Sequence, residues 1–309
     1  MNIGVDIAVP APFSFALTVR KPAGWHWATP YETFEDGVLL SALRLPGNKL
    51  VGLRVWQERG GVRIRAQSPR PLSAADRQNL TAMMRLGLGA GEDLKGFYTL
   101  ARTDPLVRRL KRDLYGLRTG FPGDVYDRCL LAITLQMAPM RRSTGMRSCL
   151  IENYGQAAAV DGRRIPYWPA PQAIAREPAA SLAKKCRLGY RAEAIRRVAR
   201  TLSEGFPNIV ELNRMDEPQI TARLLTLYGV GTYSAQLISP RRGFPLDVWS
   251  ARIFHEILFG TTPRDPRRAI KLIDKEADER WGTYKSQVFV YVLNDLARLQ
   301  EHYPISKLT

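Results

Sequence analysis

The period of the hydrophobic pattern changes once along this chain, and that change limits the folds open to it. Between residues 13 and 67 apolar and polar side chains alternate, in "FSFALTV", "GVLLSALRL", "KLVGLRVWQ" and "GVRIRAQ". A period of two belongs to strands with one face on a core. Gly47-Asn48 and Gly60-Gly61 punctuate these runs as hairpin turns. An antiparallel sheet is therefore expected here. "SAADRQNLTAMMRLGLG" follows with helical spacing, and Ser73 is its candidate N-cap. From about residue 98 the spacing turns helical and stays so. Helices are expected over 104–113, 124–139, 142–154, 171–176, 178–185, 190–204, 216–227, 232–239, 248–258, 266–280 and 283–300, with proline and glycine at many of their ends. The expected fold is α+β. An N-terminal antiparallel sheet domain with a helix (1–97) precedes a mostly helical region (98–309) of two subdomains.

Charge narrows the partner. Lys and Arg number 46 against 29 Asp and Glu, a formal charge of +17. Arginine crowds "RLKRDLYGLR", "MRRSTGMR", "YRAEAIRRVAR" and "SPRR". Such an excess favours a polyanion, nucleic acid first. No apolar run reaches the roughly 18 residues of a membrane span. "MNIGVDIAVPAPFSF" lacks the basic-then-apolar order of a secretion signal. Cys129, Cys149 and Cys186 are isolated in sequence and suggest neither a disulfide framework nor a metal knuckle. An intracellular, reducing setting is the expectation that follows. His26, His255 and His302 are dispersed, so no side-chain metal site is legible; His255 reads as packing or a phosphate contact.

"LYGVGTYSAQ", residues 227–236, places two glycines around one valine between two helical stretches. The pair of helices with its turn spans 217–239. Gly229 and Gly231 strip side chains from the turn, so the amides around Gly229, Val230, Gly231 and Thr232 can meet an anionic oxygen at a helix N-terminus. A DNA phosphate fits that description. A plain packing joint between helices fits the glycines equally well. The loop 240–250 then carries one acid, Asp247, at the start of a helix. An N-cap role and a charge-stabilising role are compatible there.

These residues resemble the helix–hairpin–helix DNA glycosylases that have a Gly/Pro-rich loop and a following Asp. Here Asp247 stands 16 residues beyond Gly231, after "SPRRGFPLD". "LKGFYTLARTDPLVRRLKRDLYGLRTGFPGDVYDRCLLAITLQM", "LGYRAEAI" and "YWPAPQAIA" resemble the 3-methyladenine DNA glycosylase II branch, and the likeness covers most of 93–300. The resemblance implies a DNA glycosylase of base excision repair, a monomer acting on duplex DNA with a damaged base, with no membrane partner. It makes Asp247 the catalytic acid, which stabilises positive charge on the sugar or orients water. Bifunctional relatives carry lysine where this chain has Tyr233, and a phenol cannot form their Schiff base. The implied enzyme is therefore monofunctional. Tyr233, Trp249, Gln287 and Tyr291 are candidates for the base pocket, the last two spaced i, i+4. Gln136 and Met137 are candidates for the wedge that fills the gap left by a flipped nucleotide. The backbone of Tyr228 and Val230 is a candidate site for a monovalent cation, as in relatives. No cysteine follows Cys186, so the iron–sulfur loop of some relatives has no ligands, and no other cofactor is implied. Alkylated purines lead as substrate, with 8-oxoguanine and hypoxanthine open. Two rivals remain: a helix–hairpin–helix module that binds DNA without chemistry, and a catalytically dead damage sensor.

Overall fold

The computed structural model describes residues 2–241 and 243–305. Among the described residues seven strands are formed: β1 (Asn2–Ala8), β2 (Thr33–Glu35), β3 (Val38–Leu45), β4 (Lys49–Glu58), β5 (Gly61–Gln67), β6 (Gly155–Val160) and β7 (Arg163–Pro169). The helices in the first half are α1 (Phe15–Arg20), α2 (Ala74–Gly87), α3 (Leu94–Thr99), α4 (Pro105–Asp113), α5 (Val125–Leu135) and α6 (Met140–Tyr154). Those in the second are α7 (Pro171–Arg176), α8 (Ala179–Lys185), α9 (Arg191–Gly205), α10 (Ile209–Leu212), α11 (Glu217–Leu225), α12 (Thr232–Ile238), α13 (Val248–Phe259), α14 (Pro266–Trp281), α15 (Lys285–Asn294) and α16 (Leu296–Leu299). The fold is α+β, a five-stranded antiparallel sheet followed by a largely helical chain.

By packing, the described chain divides into two units, each built from three segments. One comprises the residues up to Pro10, His26–Gly91 and Gly120–Arg241. The other comprises Ala11–Trp25, Glu92–Thr119 and the described residues from Gly243 on. The boundary expected at 97/98 falls inside a segment of the second unit.

In the first unit the sheet order is β1-β5-β4-β3-β2. Its β2–β3 turn (Asp36, Gly37) has both central residues at positive φ, the twist that two-residue hairpins favour, while the β3–β4 loop is three residues long (Pro46, Gly47, Asn48) with the last two at positive φ. β3 is buried on both faces, which explains its nearly unbroken apolar run. α2 lies against it, and so do β6 and β7, a second hairpin. At Gly52 of β4 a Cβ would stand 2.3 Å from the Ala159 carbonyl oxygen, so glycine lets β6 cross at close range.

Four expectations are corrected. "FSFALTV" was read as strand, but Ser14 caps α1 instead. Phe15, Thr18 and Val19 are buried at the i, i+3, i+4 spacing that the same letters also satisfy. The β6–β7 hairpin lies in the region read as mostly helical, between the helices expected over 142–154 and 171–176. Its Asp161-Gly162 turn has φ 47° and 80°, a hairpin signal that the alanine-rich β6 concealed. The helix expected over 124–139 ends at Leu135, and the one over 283–300 breaks at Asp295. Finally, Cys149 of α6 and Cys186, the C-cap of α8, form a disulfide across 37 residues of sequence. Spacing hid it because folding, not sequence, brings the ends of α6 and α8 together, where Lys185 also lies over the Tyr154 ring. The reducing setting inferred from isolated cysteines loses its basis. Cys129 is free and buried, and burial pushes its thiol well up.

The second unit has its own core. Phe254 stacks on Phe289 and meets Phe244 and Trp281 edge-on. Asp104 caps α4 and accepts from Arg280 and from the Trp281 indole, tying α4 to α14. Those charged bonds hold its carboxyl below the usual range despite burial. Among the described residues no helix is long and apolar enough to cross a membrane.

Candidate functional site

The glycine turn and the expected wedge meet in the first unit. α11 ends near Thr226, and Val230 N–H donates to the Leu227 carbonyl at 3.1 Å, closing the turn. Gly229 has φ 77°, and a Cβ there would lie 2.8 Å from the Ala194 Cβ on α9. Both the backbone and the close approach call for glycine. Gly231 differs. Its φ of −96° with ψ of −176° is extended backbone open to any residue, and nothing lies within 4 Å of its missing Cβ. α12 starts there without a side-chain cap, unlike α11 and α13. Packing within the unit therefore accounts for Gly229 but not for Gly231.

α5 stops one residue before Gln136 because the chain turns sharply there. Met137 has φ 47°, uncommon without glycine, and is 76% exposed. The Gln136 amide donates to the Gly229 carbonyl at 2.8 Å and to Ser234 Oγ at 3.1 Å. The Gln136 carbonyl in turn accepts from the Arg191 guanidinium, through Nε at 3.1 Å and also Nη2. Arg191 itself is buried at the start of α9. The exposed methionine thus projects from a turn fixed on both sides. Next to it, Tyr190 and Tyr228 are exposed, each with an arginine over its ring, Arg191 at 4.5 Å and Arg197 at 4.3 Å. Sequence reasoning passed over Arg191 and Tyr190, although both stand in the quoted "LGYRAEAI".

Asp247 lies in the second unit as the N-cap of α13. Its Oδ1 accepts from Ser250 N–H at 2.7 Å and from Ser250 Oγ at 2.7 Å, while its own N–H donates to that hydroxyl. Among the described residues no hydrogen bond takes the other oxygen, Oδ2. Leu246 before it is buried, whereas Trp249 two residues on is 42% exposed. Gln287 is half-buried on α15, its side-chain carbonyl accepting from Ser286 Oγ. Arg242 of the loop 240–250 lies outside the described residues. Tyr233, on α12, is half-buried.

Tyr291 requires correction. It is completely buried, packs edge-on against Phe97, donates to the Leu117 carbonyl at 2.6 Å and bonds Tyr98 Oη at 2.8 Å. Burial pushes its phenol far up. With no face toward solvent, it braces α15 against the 92–119 segment rather than offering a surface to a base. The i, i+4 spacing to Gln287 was real, but the helix turns that face inward at residue 291. His255 is also structural: its Nδ1 bonds the Thr261 carbonyl just beyond the C-terminus of α13. Among the described residues no cluster of three metal-ligating side chains occurs.

No protein-family model matches the chain. It is 24% identical over 184 residues to the DNA-3-methyladenine glycosylase of Bacillus subtilis, covering 58% of this chain and 60% of that protein. It is 26% identical over 229 residues to the probable N-glycosylase/DNA lyase of Methanothermobacter thermautotrophicus, covering 67% and 71%. In structure it superposes on the 3-methyladenine DNA glycosylase of Archaeoglobus fulgidus with a TM-score of 0.73 and 19% identity, over 95% of this chain and 98% of that one. Its curated and structural neighbours are DNA glycosylases of the helix–hairpin–helix type.

Proposed function

We propose that this chain, whose neighbours in sequence and fold are helix–hairpin–helix DNA glycosylases, extrudes a damaged purine from duplex DNA inside the cell and hydrolyses its N-glycosidic bond. An alkylated purine is the first candidate substrate. The activity rests on Asp247: one carboxylate oxygen is fixed by its helix and the other takes no hydrogen bond from the described residues. In the reaction the bond from C1′ to the base nitrogen breaks and its electron pair leaves with the base. Positive charge then spreads over C1′ and the ring oxygen, and water adds to C1′ and passes one proton to the Asp247 carboxylate, leaving the C1′ hydroxyl of the abasic sugar. A carboxylate held by backbone and hydroxyl donors stabilises that charge without reorganising. In the first unit Met137 is the proposed filler of the vacated stack, and the Gly229, Gly231 and Thr232 amides are the proposed phosphate donors, the Val230 N–H being spent on Leu227. In the second unit Trp249 and Gln287 are the proposed contacts of the base. The Tyr228 and Val230 carbonyls, which accept no hydrogen bond among the described residues, are the proposed ligands of a monovalent cation that would add positive charge beside that phosphate. Duplexes each carrying one damaged base, assayed for base release, test this. Release of an alkylated purine is the expected result, and binding without release of any base would reduce the chain to a damage-binding protein.

The relative named as a lyase makes strand cleavage a specific alternative. With Tyr233 where an imine-forming lysine would stand, the expected product is an intact strand bearing an alkali-labile abasic site, and borohydride should trap no enzyme–DNA adduct. A trapped adduct would identify another lysine as nucleophile and end the monofunctional assignment.

Gly231→Val tests the turn. Any residue tolerates the backbone there, so the melting temperature should hold. Binding to damaged and undamaged duplex should weaken by similar factors, because phosphate contacts position without specifying. The wild-type slope of log K against log salt should correspond to roughly five or more phosphates at about 0.9 each. Unchanged binding by Gly231→Val would leave the turn as a packing joint.

A further inference from the structure

The second unit carries an open basin of about 770 Å³ that none of the proposed chemistry uses. Its wall is the α3–α4 segment, which contributes Lys95, Arg102, Arg108, Lys111 and Arg112, and no acidic residue lines it. Asp104 is buried against Arg280 and Trp281, Asp93 caps α3 and accepts from Tyr284, and Asp113 is bound to Arg112, which leaves Lys95, Arg102, Arg108 and Lys111 as lining cations without an ion pair among the described residues. Arg108 spends its donors on the neutral carbonyls of Ala101 and Arg102, so its charge is uncompensated. Like charges gathered in one concavity repel and lower the stability of the unliganded protein, and an anion removes that cost.

The basin also has an aromatic element. Tyr115 is 55% exposed and stacks on Tyr98, with ring centroids 5.3 Å apart and planes 17° apart. Tyr98 cannot swing away: its hydroxyl accepts from Gly116 N–H and bonds Tyr291, and Lys111 sits 5.4 Å over its ring. Tyr115 is therefore a partly exposed ring stacked on a fixed one, next to cations. A cation cluster alone calls for phosphate. A partly exposed aromatic ring beside it calls for a planar ring attached to that phosphate.

We propose that this basin is a second nucleotide-binding site, in which a base stacks on Tyr115 while its phosphate meets Lys95, Arg102 and Lys111. Either a free nucleotide or an unpaired nucleotide of a DNA strand supplies that chemistry. Equilibrium dialysis with labelled deoxyadenosine monophosphate, and binding of a ten-residue oligothymidylate, separate the two sources. Tyr115→Ala should weaken binding of whichever probe occupies the basin by about five- to a hundredfold, the range of one lost base stack. The exposed pair Lys95→Glu with Arg102→Glu should weaken it further and reduce its salt dependence. Both residues of this pair are exposed, so it remains informative if Tyr115→Ala is unstable. Base release at saturating enzyme should be unchanged in these variants, so loss of glycosylase activity and loss of this site are read independently. Wild-type protein that binds neither probe, or variants that bind both as wild type does, would overturn the proposal.

Discussion

Replacing Asp247 with asparagine is expected to slow base release by about 10²–10³-fold, the usual loss when one charge-stabilising group is removed from an active site. The substitution is nearly isosteric. Asparagine caps a helix as well as aspartate does, and its carbonyl oxygen can take over both bonds that Oδ1 accepts from Ser250. What disappears is the negative charge, so the melting temperature and the affinity for damaged duplex should be held. Single-turnover release with enzyme in excess measures the chemical step without product dissociation. A rate close to wild type would remove Asp247 from the chemistry and leave it as a helix cap.

Gly229→Val is expected to have the largest structural effect of any change in the hairpin. A β-branched residue at φ 77° is strained, and its Cβ would press on the Ala194 Cβ 2.8 Å away. The backbone cost is roughly 1–2 kcal/mol and overpacking adds about 1–3 kcal/mol. Together they should lower the melting temperature by several degrees and disturb the Gly229 carbonyl to which Gln136 is bonded. DNA binding and base release should then fall together, unlike in Gly231→Val. Thermal melting with parallel binding curves checks this, and a variant that melts with wild type would show the turn to be looser than described.

The contrast between these two glycines shows where sequence was informative. "GVG" was legible as a turn, but its letters do not say which glycine serves the fold. That depended on Ala194, 35 positions earlier, coming within van der Waals range. Asp247 was legible because caps are local: an acid followed three residues later by serine forms the capping box the structure contains. Tyr291 was misread because helical spacing defines a face but not what covers it, and Tyr98 and Leu117 are remote in sequence. Arg191 was overlooked because its target is a backbone carbonyl, which has no sequence signature. Gln136 and Met137, the expected wedge, were read as part of a helix, whereas α5 ends at Leu135. Nothing in "LQMAPM" except Pro139 announces that α5 has ended, and the positive φ of Met137 is imposed by the bonds around Gln136.

The threading of the chain has a consequence for how such a protein is made. Because the segment between Pro10 and His26, which carries α1, and the stretch from Glu92 to Thr119 belong with the C-terminal residues, no single cut releases either unit whole. During synthesis the first unit has all its parts once Arg241 emerges. The segment 11–25 meets Gly116 and Arg118 of the 92–119 stretch first, but both segments must wait for the rest of their unit, the residues from Gly243 on. Such long-range closure is slow. A nascent chain stalled before α13 would be left with half a core, a natural substrate for chaperones or proteases.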